Sequence, residues 1–284
     1  MKPTHTLVKI FTLILMMLSL SYAKKEVLRL SIFPYLSPGK IIKQHKELAH
    51  YLENELKQPV SIITFRNIPT YIKDITERSH HLLLTASHVG RFAQVYSEYQ
   101  PIAISVQDIQ GYFIVKKEST LKHLNDIRGK TISMVPPFAI ISQRATQDLK
   151  SEGIIVGKDI THFITKNHLH SLLACQKGKS DIAVVGNTIW NKMPSHKKEN
   201  FRILRKGSKN PGFMIMGKPS LDPKLVQKIK NALFKFTSKN REKPYSLKGF
   251  KKLDQATLES LDRFMPKTVQ SINSFMPKGL KKKH

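Results

Sequence analysis

The sequence predicts an α/β protein built as two lobes, on three observations. Short apolar runs alternate with stretches whose apolar residues recur at helical spacing. The alternation comes in two blocks, over residues 24–107 and 108–207. Paired extended segments lie at the block junctions, 101–106 with 111–115 and 201–205 with 213–216, and read as crossings between lobes.

Residues 27–33 are a partly alternating apolar run, a strand that Pro34 stops. Ser37 before Pro38 is an N-cap and first-turn pair, and Ile41, His45, Leu48, Leu52 and Leu56 follow at helical spacing up to Pro59. Residues 60–65 form the next strand, a helix starts at Pro69, and 81–85 is a third strand of buried character. Ser87 opens a helix that runs to about Ser97. The second block repeats the order. Residues 131–135, 162–165 and 181–185 read as strands, while 142–150 and 168–177 read as helices ended by Gly153 and Gly178. Such alternation predicts a largely parallel sheet. Helices after Asp222 and near Asp254, within 208–284, return to the first lobe. No internal repeat has solenoid spacing.

The first 23 residues read as an address. Two lysines and no acid precede an apolar run at 10–20, broken only by Thr12 and Ser19, and Ser21-Tyr22-Ala23 closes it with small residues. The run is short for a bilayer span, which takes roughly 20 residues; an uncleaved anchor is the alternative. A cleaved, exported, periplasmic and monomeric product starting at Lys24 is expected, and with no cysteine after the run it carries no lipid anchor.

The chain holds 48 Lys+Arg against 20 Asp+Glu, a formal charge of +28, and 40% of it is apolar. That supplies a real core and excludes a disordered basic tail. Removing Lys2 and Lys9 lowers the charge only to +26. The cations spread along the chain, apart from Lys281-Lys282-Lys283 in the basic tail. An exported protein is not expected to meet nucleic acid; the diffuse charge favours anionic solutes and surfaces without marking a site, and most of it reads as solvated surface. The single cysteine, Cys175, excludes an internal disulfide framework and cysteine zinc cages.

Four segments carry a resemblance. Residues 33–38 (FPYLSP) follow the first strand; TASHVGRFA (85–93), LNDIRGK (124–130) and KGKSDIA (177–183) come later. In order and spacing they resemble the phosphate/phosphite/phosphonate-binding proteins of bacterial ABC importers. The resemblance implies a two-lobed periplasmic binding protein of the double-crossover type 2 kind, closing on a phosphonate-like or phosphate-like anion and docking on a membrane permease. It also implies ligand residues. Pro69-Thr70-Tyr71 matches the family's tyrosine context, His168 sits where members often place a histidine, and His88 matches a histidine of one branch. Tyr35 lies in the first loop between two prolines. The phosphonate-binding branch opens its second-lobe helix with Ser-Thr-Ser-Gly. Here Ala139, Ile140 and Ile141 stand at the hydroxyl positions, followed by Ser142. Backbone N–H groups at that helix start remain as donors, and the apolar stretch fits a less charged organic ligand equally well. His81 stands where the family usually has Asp.

Each candidate has a plainer reading. His88 can cap or pack within its helix, Asn187 can cap the next one, and Trp190 can serve a core. His162, His168 and His170 raise a metal question, but no carboxylate lies beside them, and no metal or cofactor is expected. No nucleophile elbow, zincin pair or phosphate loop is present, and Cys175 beside Leu172 and Leu173 reads as a small core residue. The expectation is a receptor for import and not an enzyme. Two alternatives stay open: a receptor presenting its closed form to a sensor kinase, and an enzyme on the same scaffold.

Overall fold

The computed structural model describes residues 26–237 and 247–276. The expected signal peptide and the lysine tail at 281–283 lie outside the described residues. The chain folds into two mixed sheets, each the centre of one lobe, with helices on their faces.

The first lobe opens with β1 (Leu28–Ile32), α1 (Pro38–Leu56) and β2 (Val60–Ile63). The chain continues through α2 (Ile68–Thr76), β3 (Leu82–Ala86), α3 (Ser87–Ser97) and β4 (Gln100–Ser105). Ile41, His45, Leu48, Ala49 and Leu52 are the buried stripe of α1, the helical spacing that the sequence displays. A crossing of a few residues leads to β5 (Ile109–Lys116) in the second lobe. There follow β6 (Thr131–Met134), α4 (Ile140–Ser151), β7 (Thr161–Ile164), α5 (His168–Gln176) and β8 (Ile182–Gly186). Two short helices, α6 (Asn187–Lys192) and α7 (Ser195–Lys198), precede β9 (Phe201–Asn210). A second crossing returns the chain to β10 (Phe213–Gly217), α8 (Pro223–Lys235), β11 (Phe250–Lys251), α9 (Gln255–Ser260) and α10 (Met265–Phe275).

Strand order is β11-β4-β10-β3-β1-β2 in the first sheet and β7-β6-β8-β5-β9 in the second. β1 pairs in parallel with β2 and β3, and β6 with β7 and β8. The crossing strands pair antiparallel: β10 with β3 and β4, and β5 with β8 and β9. The sheets are therefore less uniformly parallel than the alternation implies. Periodicity reports βαβ units but not the direction of strands that switch lobes.

The crossings are tightly laced. Ser105 Oγ accepts from the Phe213 N–H at 3.0 Å and donates to the Gln107 carbonyl at 3.2 Å. Ser87 Oγ donates to the Pro211 carbonyl at 2.8 Å. A Cβ at Gly212 would stand 2.1 Å from both the Gln107 carbonyl oxygen and Ser105 Oγ, so only glycine lets the two crossings approach this closely. Among the described residues no helix is long and apolar enough to cross a membrane.

One apolar cluster runs from one lobe into the other. Phe33, Tyr71, Val89 and Phe92 of the first lobe join Phe113, Ile132, Phe138 and Ile141 of the second, with Phe264 and Ile272 of the returning segment.

Candidate functional site

The carboxyl ends of the parallel strands in both lobes face the crossings, which is where open α/β sheets place ligands. β3 ends at Ala86, whose extended backbone caps α3 and puts His88 in the first turn. The His88 imidazole is buried, and its Nε2 donates to the carbonyl of Phe138, a second-lobe residue, at 3.0 Å. Its Nδ1 is buried without a partner. Burial lowers its pKa to about 4, against the small raising effect of the Phe138 bond.

Phe138 is the residue on which the lobes meet. Its ring stacks on Phe33 at 6.4 Å, tilts against His88 at 5.4 Å and meets the edge of Phe275 at 6.0 Å. Its carbonyl also accepts from Gln143 Nε2 at 3.1 Å. Gln143 reaches Thr268 Oγ1 of α10 at 3.3 Å, so the returning segment touches the second lobe as well.

The loop before α4 is closed on itself. The Ala139 N–H donates to Pro136 at 2.9 Å, and Ser142 Oγ donates to the Val135 carbonyl at 2.8 Å. Ala139 is the N-cap and offers no side-chain bond to the helix, which starts at Ile140, two residues before the hydroxyl that marks its start in the sequence. Ile140 and Ile141 are buried. The Ile141 side chain nests over two glycines, 3.1 Å from where a Cβ of Gly111 would stand and 2.8 Å from that of Gly186.

His168 begins α5, whose cap is Asn167, accepting from the His170 N–H at 3.0 Å. The His168 ring lies beside Gly186 and donates to the Val184 carbonyl, while its Nδ1 is buried without a partner. Burial holds its pKa down to about 4. His88, Ala139, Ile140 and Ser142 thus surround one loop, and His168 joins them through Ile141 and Gly186.

The two tyrosines sit elsewhere around this centre. Tyr71 is fully buried, with its ring edge-on to Phe33 and Phe65. Its hydroxyl lies beside Thr85 and near Asp74 and Tyr99 inside the first lobe, and burial raises its pKa. Tyr35 packs on Phe213 at 5.1 Å; its hydroxyl accepts from Gln44 at 2.6 Å and bonds His45 Nε2 at 2.8 Å. Burial lowers the His45 pKa to about 4.

The other singled-out residues have structural partners. Asn187 braces the first crossing, donating to the Asp108 carbonyl at 3.1 Å and accepting from the Gln110 N–H at 3.3 Å. Trp190 is buried beneath Lys198, whose ammonium lies 5.7 Å from the ring. Cys175 is buried, which pushes its thiol up to about 11. His81 Nδ1 accepts from the Arg29 N–H at 3.1 Å and its Nε2 bonds Glu26 at 3.1 Å. Among the described residues no group of three or more His, Cys, Asp and Glu could hold a metal. Phe138, Gln143, Thr268 and Phe275 are contact residues that the sequence does not single out. Phe138 has a local signal, an aromatic after two prolines ahead of a helix; Phe275 and Thr268 have none.

Residues 30–259 match the family described as ABC transporter, phosphonate, periplasmic substrate-binding protein. The chain belongs to this family. Among solved structures, the phosphonate-family fold recurs in PhnD1 of Prochlorococcus marinus in complex with methylphosphonate. The TM-score is 0.72 at 14% identity, covering 85% of this chain and 97% of that one. A Xanthomonas citri protein bound to ATP aligns with a TM-score of 0.70 at 16% identity, covering 88% and 99%. The periplasmic aliphatic sulphonate binding protein SsuA of Escherichia coli gives 0.65 at 14% identity, covering 90% of each chain. At such identities the likeness concerns the fold of this phosphonate-family chain. No curated protein matches its sequence.

Proposed function

We propose that this chain is the solute-binding protein of an ABC importer, exported to the periplasm as a monomer by a cleaved signal peptide. It traps one small solute between its lobes and hands it unchanged to a membrane permease. The observation that carries the reading is the meeting of the lobes at His88 and Phe138, opposite two crossings of only a few residues each. Such a geometry supports hinged closure on a guest. Residues 24–107 and 208–284 would make one lobe and 108–207 the other, with His88, His168 and the 138–142 loop at the gap. Tyr35 and Tyr71 would support its first-lobe wall.

The solutes named for the similar structures include methylphosphonate, ATP and, by the protein's name, aliphatic sulphonates. They support a small anion as guest. A less charged organic solute is the second reading, favoured here by one observation: the ring of Phe138 and the side chains of Ile140 and Ile141 stand at the helix start.

The test is retention followed by closure. Mature protein is unfolded and refolded to strip any guest, then dialysed against a bacterial small-molecule extract. Native mass spectrometry should show one retained solute per chain, and small-angle scattering a smaller radius of gyration. An unchanged mass together with an unchanged radius sinks the receptor reading.

A further inference from the structure

Exposed apolar side chains are unevenly spread over this molecule. Of ten large ones among the described residues, four lie between 163 and 173: Phe163, Ile164, Leu169 and Leu173, each 40% to 57% exposed. Single exposed aliphatics are ordinary, whereas a group of them marks an interaction surface. The group sits at one edge of the second lobe, where β7 is the outermost strand of its sheet. Phe163 is in register with Ser133, whose hydroxyl donates to the Ser171 carbonyl of α5 at 3.0 Å. Phe163 therefore emerges on the sheet face that α5 covers, while Ile164 points to the other face. Leu169 and Leu173 stand four apart on the outer side of α5, because Ser171, Leu172, Ala174 and Cys175 form its buried side.

The charge around this group is of one sign. Residues 160–180 contain no Asp or Glu, and Lys166, Lys177 and Lys179 are exposed there. The nearest acids along the chain are engaged: Asp159 pairs with Arg128 at 3.5 Å, and Asp181 accepts from the Thr131 N–H at 2.8 Å. Helix α2 of the first lobe, which starts from the same kind of asparagine cap, is built differently. Counted from that cap, Lys73 and Glu77 stand where the second lobe has Leu173 and Lys177, and they form an exposed ion pair at 3.6 Å. The matching face of the first lobe is thus dressed for water.

We propose that the outer face of α5 and β7 docks on an anionic lipid surface. Leu169, Leu173 and Phe163 enter the boundary between headgroups and acyl chains, and Lys166, Lys177 and Lys179 meet the lipid phosphates. A second copy of the chain fits this face worse, because a two-fold contact would set its cations against themselves. The face uses no residue of the interlobe site, so it stands or falls apart from the identity of the guest.

Co-sedimentation of the mature protein with vesicles at physiological salt tests this. Vesicles of phosphatidylcholine and phosphatidylglycerol, in a ratio of about two to one, should bind at least about tenfold more tightly than phosphatidylcholine alone. Leu169→Ser with Leu173→Ser keeps every charge and should weaken that binding about tenfold, with circular dichroism unchanged. Lys166→Gln with Lys177→Gln should weaken it by about as much. Lys40→Gln with Lys43→Gln removes the same charge from exposed positions of α1 and should cost less than about twofold. Should the leucine pair fail to fold, the two lysine pairs still decide whether this face is the one used. Undiminished binding by the leucine pair, or equal losses in the two lysine pairs, would reduce the attraction to diffuse charge and overturn the proposal. Equal affinity for both kinds of vesicle, or no binding to either, would do the same. A dimer in sedimentation velocity that the leucine pair abolishes would make a second copy the occupant and overturn it likewise.

Discussion

Helices α2 and α5 occupy the same place in their lobes and share a cap, yet bury opposite kinds of interior. Asn67 accepts from the Thr70 N–H at 2.9 Å and Asn167 from the His170 N–H at 3.0 Å. Four residues on, Tyr71 and Ser171 are both fully buried. Beyond them the lobes diverge. Asp74 in α2 meets His80 Nδ1 at 2.7 Å and accepts from Ser31 Oγ at 3.2 Å, whereas Ala174 and Cys175 in α5 pack as small apolar groups. After each helix the chain turns through a positive φ, at Arg78 (54°) and at Gly178 (71°). The next strand is then tied by a side chain accepting a backbone N–H. His81 does this for Arg29, and Asp181 does it for Thr131 at 2.8 Å. The backbone grammar is shared because turns and caps are local. What fills the interior answers to each lobe's own neighbours, which is why a histidine can stand in one lobe where an aspartate stands in the other.

The largest expected effect is acid lability weighted toward the first lobe. His45 and His88 there, and His168 in the second, have pKa values lowered to about 4 by burial. Their unfolded values lie near 6.5, so the folded state resists protonation. Stability is complete above pH 6.5 and falls as pH drops from 6.5 through 4, by about 3 kcal/mol for each group. Urea midpoints at pH 7, 5 and 4 measure it, and His45→Gln should flatten the profile more than any exposed histidine substitution. A profile flat to pH 4 breaks the comparison.

Asp74→Ala comes next, since it strands the half-buried imidazole of His80 and the buried hydroxyl of Ser31; a loss of about 3 kcal/mol is expected by chemical denaturation. Ala174→Ser at the matching place should cost far less, and equal losses would show that the two interiors do not differ as described. Gly178→Ala should cost about 1 to 2 kcal/mol because an L residue is strained at that φ. The smallest pair is Asn67→Ala and Asn167→Ala, at about 1 kcal/mol each. Unequal values would show that the shared cap is not equally supported.

The elements were legible in the sequence wherever period and punctuation agree. Ser37-Pro38 does open a helix, Gly178 does follow one, and the apolar runs are strands. The start of α4 was not, because Ala139 caps it without a side-chain signal and the first hydroxyl, Ser142, lies inside the helix. His88 could be picked out because it follows a strand end. Its partner could not, because it is the carbonyl of Phe138, and a backbone oxygen leaves no trace in composition. Phe275 and Thr268 reach the same place from a helix more than a hundred residues downstream. Tyr71 and Tyr35 illustrate the reverse: motif context marks the residue, while the Tyr35 hydroxyl is held by Gln44 and His45 and the Tyr71 hydroxyl is buried inside the first lobe, neither of which the motif reports.

Gly212 carries a consequence for how the chain tolerates change. The backbone of one crossing fills the volume that any larger residue at 212 would need in the other. A saturation library read out by folding should therefore recover glycine alone at this codon. Inserted residues on either side would splay the two connectors and uncouple one half of the molecule from the other. The shortest stretch of the fold is in that sense its least negotiable.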